Sequence, residues 1–208
     1  GRSLIVAFFM AACGFCPGHA QTTAERMYER GLAALSDGKL REAIRVFTVV
    51  IKDDPGSYAA YAKRGYAYYN SGDFAKGIAD LNTALSLNPE YACAYSYRGY
   101  AFRKTRRYDQ ALEDLTRAVA CNPLDAEAFT NRGLTYETLR LFDKALADFS
   151  SAIMVNPQYE NAYKARATVY FMKRNYDAAW SDVKALERLG GSVDSRFLKE
   201  LQKASGKK

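Results

Sequence analysis

The chain has 208 residues, with 30 Lys and Arg against 23 Asp and Glu, a formal net charge of +7 and a single histidine. Ordinary apolar content with mixed charge reads as a soluble chain. The lone His19 excludes a Ser-His-Asp triad, a Cys-His nucleophile pair and histidine-based metal sites in everything after it.

The first element in chain order is "GRSLIVAFFMAACGFCPGHAQ". One arginine, Arg2, precedes an apolar run from Leu4 to about Cys16, and small residues follow. The run is too short to span a bilayer comfortably. Residues 1–20 read as a secretory signal peptide cleaved after Ala20. A lipoprotein variant would place a lipid on Cys13, although the methionine in "MAAC" fits a lipobox poorly. Either route exports the protein, to periplasm or cell envelope if the source is bacterial. Cys13-Gly-Phe-Cys16 has redox-motif spacing but lies within the apolar run, so no redox chemistry is expected of it.

The remainder is periodic. Gly31, Gly65, Gly99 and Gly133 each follow an arginine (Arg30, Arg64, Arg98, Arg132) at steps of 34 residues, and one further step reaches Arg166-Ala167. Ala43, Gly77, Ala111, Ala145 and Ala179 keep the same step, as do Pro55, Pro89, Pro123 and Pro157. A fixed period of this length marks stacked supersecondary units. The frame gives units 24–57, 58–91, 92–125, 126–159 and 160–193. Within each, positions 4, 8 and 11 have helical spacing, a polar turn follows near 14 to 16, and positions 17, 20, 24 and 27 form a second helical stripe. Proline at position 32 removes an amide donor and stops that second helix, most plainly at Asn88-Pro89, Asn122-Pro123 and Asn156-Pro157. Glycine costs roughly 1 kcal/mol in a helix relative to alanine. Its recurrence predicts an antiparallel pair in which position 8 lies against position 20 or 24. Residues 194–204 read as a capping helix, with Phe197, Leu198 and Leu201 toward the last unit, and 205–208 as a tail.

"YSYRGYAF", then "ALEDL", then "NP", at these offsets, resembles the tetratricopeptide repeat family. The likeness covers residues 24–193 in one frame. Arginine stands where the family's motif has leucine at position 7, and the fifth unit ends in Gly190-Gly191 rather than proline. The resemblance implies an all-α, right-handed α-α solenoid of five helix-turn-helix units plus the C-terminal capping helix. It also implies a protein-protein interaction scaffold whose concave face is lined by positions 2, 5, 9, 12 and 13. On this chain those positions, with their neighbours, offer Tyr66, Tyr69 and Asn70, then Ser96, Tyr100, Arg103 and Lys104. Thr130, Asn131, Leu134, Glu137 and Thr138 follow, then Lys164, Thr168, Phe171 and Met172. The lysine and asparagine clamp with which some members grip a chaperone's C-terminal carboxylate is absent.

Position 23 is aspartate in four units, at similar height to position 7. Structural ion pairs are therefore expected at Arg64–Asp80, Arg98–Asp114, Arg132–Asp148 and Arg166–Asp182. Arg30 faces Val46 in that register and must be exposed or paired elsewhere. Cys93 and Cys121, at positions 2 and 30 of one unit, have matching heights. That leaves a disulfide and two independent thiols both open, with position 30 expected in the core from Leu87 and Val155. No Gly-rich phosphate loop or acid/base dyad appears, so no enzyme, cofactor or metal is expected. The leading function is an exported adaptor holding a partner's segment in its groove. An envelope-assembly lipoprotein contacting cell-wall or outer-membrane machinery is one alternative. Nucleic-acid binding through Arg103, Lys104, Arg106 and Arg107 is the other.

Overall fold

The computed structural model describes residues 22–206; the stretch read above as a signal peptide, with Cys13, lies outside the described residues. Helices pair as α1 (Thr23–Ser36) with α2 (Leu40–Asp53), α3 (Tyr58–Asn70) with α4 (Phe74–Leu87), and α5 (Ala92–Lys104) with α6 (Tyr108–Cys121). The series continues with α7 (Ala126–Thr138) and α8 (Phe142–Val155), α9 (Glu160–Met172) and α10 (Tyr176–Arg188), and closes with α11 (Ser195–Ser205). No strand occurs among the described residues. Each helix packs on its neighbours in sequence, and the first helices of successive units also touch, as α3 with α5 and α5 with α7. This is an all-α solenoid.

The glycines set the distance within each pair. A Cβ on Gly99 would lie 2.7 Å from Leu115 Cγ, and one on Gly133 would lie 2.6 Å from Phe149 Cε1. In the second unit Gly65 and Gly77 face each other, so a Cβ on either would come within about 3 Å of the other's carbonyl oxygen. Buried apolar residues form clusters astride neighbouring units, such as Ala62, Leu81 and Leu85 with Tyr95 and Val119. Burial is thus shared between neighbours along the stack.

The second helices end where the prolines predict. Asp54, Asn88, Asn122 and Asn156 follow the last turns in extended conformation, as residues before proline prefer. Their side chains accept from the amides of Gly56, Glu90, Leu124 and Gln158 two residues on, closing each turn locally. At the other end of each pair the residue at position 15 is left-handed throughout. It is Gly38 and Gly72 in the first two units, but Arg106, Arg140 and Arg174 in the last three, with φ near 60°.

All four arginine–aspartate pairs are formed and bidentate, for example Arg132 Nε to Asp148 Oδ2 at 2.8 Å and Nη2 to Oδ1 at 2.7 Å. The aspartates are buried, and hydrogen bonding to them raises the guanidinium pKa of Arg64, Arg132 and Arg166. The remaining nitrogen of each arginine reaches back to the preceding unit. Arg64 donates to Thr48, Arg98 to Asn82, Arg132 to Thr116 and Arg166 to Ser150. Position 25 is therefore the acceptor that ties one unit's ion pair to its neighbour. In the first unit Arg30 pairs instead with Glu42 at 2.8 Å.

The last helix covers the fifth unit. Asp194 caps it through the amides of Arg196 and Phe197, and Gly206 closes it in left-handed conformation. Leu201 is fully buried, with Phe197 and Leu198 against Ala179, Val183 and Trp180, and Trp180 Nε1 donates to Ser205 Oγ at 3.0 Å.

Cys93 and Cys121 are free thiols. Cys93 is half-buried beside Tyr91 and Tyr97, whereas Cys121 is exposed at the end of α6. Matching height on an antiparallel pair does not bring side chains together when they leave on different faces. Position 30 is not uniformly a core position: Leu87 and Cys121 are exposed, whereas Val155 packs against Ala126, Ala152 and Ala162.

Candidate functional site on the concave face

The first helices line the concave side, and their tyrosines pack into a continuous group. Tyr66 lies 4.4 Å from Tyr97 between ring centroids, and Tyr69 and Tyr97 each lie 6.2 Å from Tyr100. Lys63 Nζ donates to Tyr97 Oη at 3.0 Å. Tyr66 and Tyr69 remain partly accessible, but Tyr100 is only 1% exposed. Its hydroxyl pKa is driven far up, first by burial and then by Glu127 and Asp125. Tyr100 thus supports the groove floor and cannot meet a partner.

Other residues expected to face a partner are also withdrawn. Ser96 is buried and donates to Asp125 Oδ2 at 3.1 Å. Thr130 is buried on the carbonyl of Ala126, and Asn131 is buried between Arg103 and the carbonyl of Glu127. Phe171 packs against Tyr176 and Phe197, under the last helix. In each case the next first helix, or α11, lies close enough to cover the position. Asn70 stays exposed, though its side chain donates to the carbonyl of Tyr66. Lys104 is exposed at the end of α5.

What stays open is a cavity of about 450 Å³ between α5, α7 and α9, lined by Arg103, Glu127, Leu134, Glu137, Tyr159, Asn161, Lys164 and Thr168, with Thr130 and Asn131 at its base. Arg103 Nη2 donates to Asn131 Oδ1 at 3.0 Å, while its buried Nε has no hydrogen-bond partner. An unmet buried donor costs free energy that an incoming acceptor recovers. Lys164 is half-exposed and bonded to Glu160 at 3.0 Å. Glu127, Tyr159 and Asn161 escaped the sequence argument. Glu127 and Asn161 occupy position 2, a groove position in the register already in use, whereas Tyr159 comes from an inter-unit turn and carries no helical signal.

Desolvation acts on two carboxyls in this cavity. Although Glu127 remains solvent-accessible, desolvation and then Asp125 raise its pKa. Desolvation raises that of Glu137, against the opposing pull of Arg103. For an acid whose folded pKa is raised, ionisation opposes folding. The folded state therefore gains from these two groups as pH falls through the folded values toward the ordinary 4.5. The Glu127→Gln, Glu137→Gln double variant should melt higher than the parent at neutral pH. That advantage should shrink as pH falls and be lost below about pH 4.5, once these carboxyls take up protons in both the folded and the unfolded chain. Paired melting curves at the two pH values check it.

Among the described residues no group of His, Cys, Asp and Glu has metal-binding geometry, and no helix is long and apolar enough to cross a membrane. The basic cluster expected from the sequence is divided. Arg103 turns into the cavity and Arg107 lies 4.3 Å over the ring of Phe102. Lys104 and Arg106 remain exposed.

A family model described as Tetratricopeptide repeat matches residues 28–92, 62–126 and 98–162, more than half of the chain. No curated protein matches it. Solved structures do. One, of MamA, is 29% identical over 79% of this chain and 91% of its own, with a TM-score of 0.64. A second MamA structure is 25% identical over 83% and 96%, with a TM-score of 0.67. The pilF protein of Pseudomonas aeruginosa is 20% identical over 88% and 84%, with a TM-score of 0.79, a likeness of fold alone.

Proposed function

The chain belongs to the tetratricopeptide repeat family, and on that footing we propose that this interaction scaffold holds an extended or helical segment of a partner protein in its concave groove, outside the cytoplasm. The cavity between α5, α7 and α9 carries the reading. It presents Arg103 and Lys164 beside Glu127 and Glu137, with an unmet donor on Arg103 Nε and accessible tyrosines on its approach. Such a surface suits a peptide that offers backbone carbonyls and side chains of both signs. Export rests on the apolar stretch and small residues preceding Ala20, and a lipid on Cys13 would hold the array at the envelope instead of releasing it.

The protein immobilised as bait in an envelope extract should retain a partner that an Arg103→Glu, Lys164→Glu variant of unchanged helicity releases. Equal retention by both would move binding off the concave face. Tyr100 has no place in this test, because truncating a buried ring disturbs the array itself. Export predicts a mature protein beginning at Gln21, read by terminal sequencing of the material recovered outside the cytoplasm.

A further inference from the structure

The turn inside each unit places position 15 on one edge of the solenoid. Left-handed backbone is costless there for Gly38 and Gly72 but strained for a residue with a Cβ. Arg106, Arg140 and Arg174 nevertheless hold it in three successive units, all exposed. The charges in the first two turns are satisfied locally, Lys39 by Asp37 and Asp73 by Lys76. Lys173 is paired with Asp143. The three left-handed arginines make no such pair and stand in line, one per unit. Acids on this edge, Asp109, Asp143 and Asp177, sit in the first turns of α6, α8 and α10.

Two further observations give the edge a direction. Leu139 and Leu141 flank Arg140 at 38% and 42% exposure, and Met172 stands before Lys173 and Arg174 at 51%. The inter-unit turns on the opposite edge carry Asp54, Glu90 and Asp125 and no lysine or arginine. The molecule therefore has a basic edge and an acidic edge facing away; aliphatic side chains protrude on both, Leu124 and Met154 on the acidic one at 78% and 77%, so charge decides between them.

We propose that this basic edge docks on an anionic lipid surface, with Arg106, Arg140 and Arg174 at the headgroups and Leu139, Leu141 and Met172 entering the acyl boundary. Cations that attract phosphate and unbranched or branched aliphatic side chains that partition are the pairing a bilayer surface rewards. Nucleic acid is disfavoured because the exposed apolar groups here are aliphatic, and bases are held by aromatic stacking. The groove is left free in this arrangement, so the surface acts independently of the scaffold reading.

The test is co-sedimentation of the chain with vesicles of phosphatidylcholine alone or mixed with phosphatidylglycerol. Binding should require the anionic lipid and weaken with salt. The triple variant Arg106→Gly, Arg140→Gly, Arg174→Gly should bind about a hundredfold more weakly, at about tenfold per one to two cations removed. Glycine is at ease in this backbone, so the variant should melt no lower than the parent. Should it melt lower, asparagine at the same positions removes the charge while tolerating left-handed backbone, and must weaken binding likewise. Equal binding by parent and variants would overturn the proposal. So would equal binding to both vesicle types, as an apolar segment alone would give, or retention of RNA in place of vesicles.

Discussion

Replacing Arg132 by methionine should lower the unfolding free energy by about 3–5 kcal/mol. Asp148 is 5% exposed, and both its oxygens are occupied by Arg132 at 2.7 and 2.8 Å. Without the guanidinium a carboxylate is left inside the pair of α7 and α8 with no counterion. The substitution also removes the weaker bond from Nη1 to Thr116 of the preceding unit, at 3.4 Å. The Asp148→Leu partner mutation, combined with Arg132→Met, should recover most of the loss, because an apolar pair of similar volume has no charge to desolvate. Denaturant unfolding of the parent, the two single variants and the double variant closes the cycle. A loss below about 1 kcal/mol for Arg132→Met would place the pair among ordinary surface bridges.

Gly99→Leu should destabilise the array by about 1–3 kcal/mol or more, through overpacking. Even the first added carbon would stand 2.7 Å from Leu115 Cγ and 3.4 Å from the carbonyl oxygen of Ala111. Leu115 is fully buried and its Cγ lies near the backbone, so it cannot swing aside as the end of a long side chain does. A leucine must therefore push α5 from α6, and that shift passes into the contacts α5 makes with α4 and α7. Helix propensity acts the other way, favouring leucine over glycine by somewhat less than 1 kcal/mol. An unchanged or raised melting temperature would mean that propensity outweighs packing here.

The repeat was legible because its signals are local. Glycine before position 9, alanine at 20 and proline at 32 each act on neighbours within the same helix pair, and 34-residue spacing displays them repeatedly. Arg98 and Asp114 could be matched on height alone for the same reason. The groove was less legible, since its exposure depends on how closely successive first helices stack. Ser96 and Tyr100 occupy positions that face the concave side, yet the stacking of α5 with α3 and α7 buries both. The left-handed turns of the last three units were hidden for a different reason. Arginine there erases the glycine that marks such backbone in "DGK" and "SGD". Position 25 alternates among threonine, asparagine and serine, residues that share a hydrogen-bond acceptor but no hydrophobic pattern.

That acceptor also gives the stack an end. Each arginine from Arg64 onward completes its hydrogen bonding on the unit before it, at Thr48, Asn82, Thr116 and Ser150. In the fifth unit the equivalent residue is Lys184, a side chain that can donate but not accept. A further repeat, or another molecule arriving head to tail, would bring its arginine up to an ammonium group. The ladder of acceptors therefore stops at the fifth unit, where α11 lies over the apolar face instead.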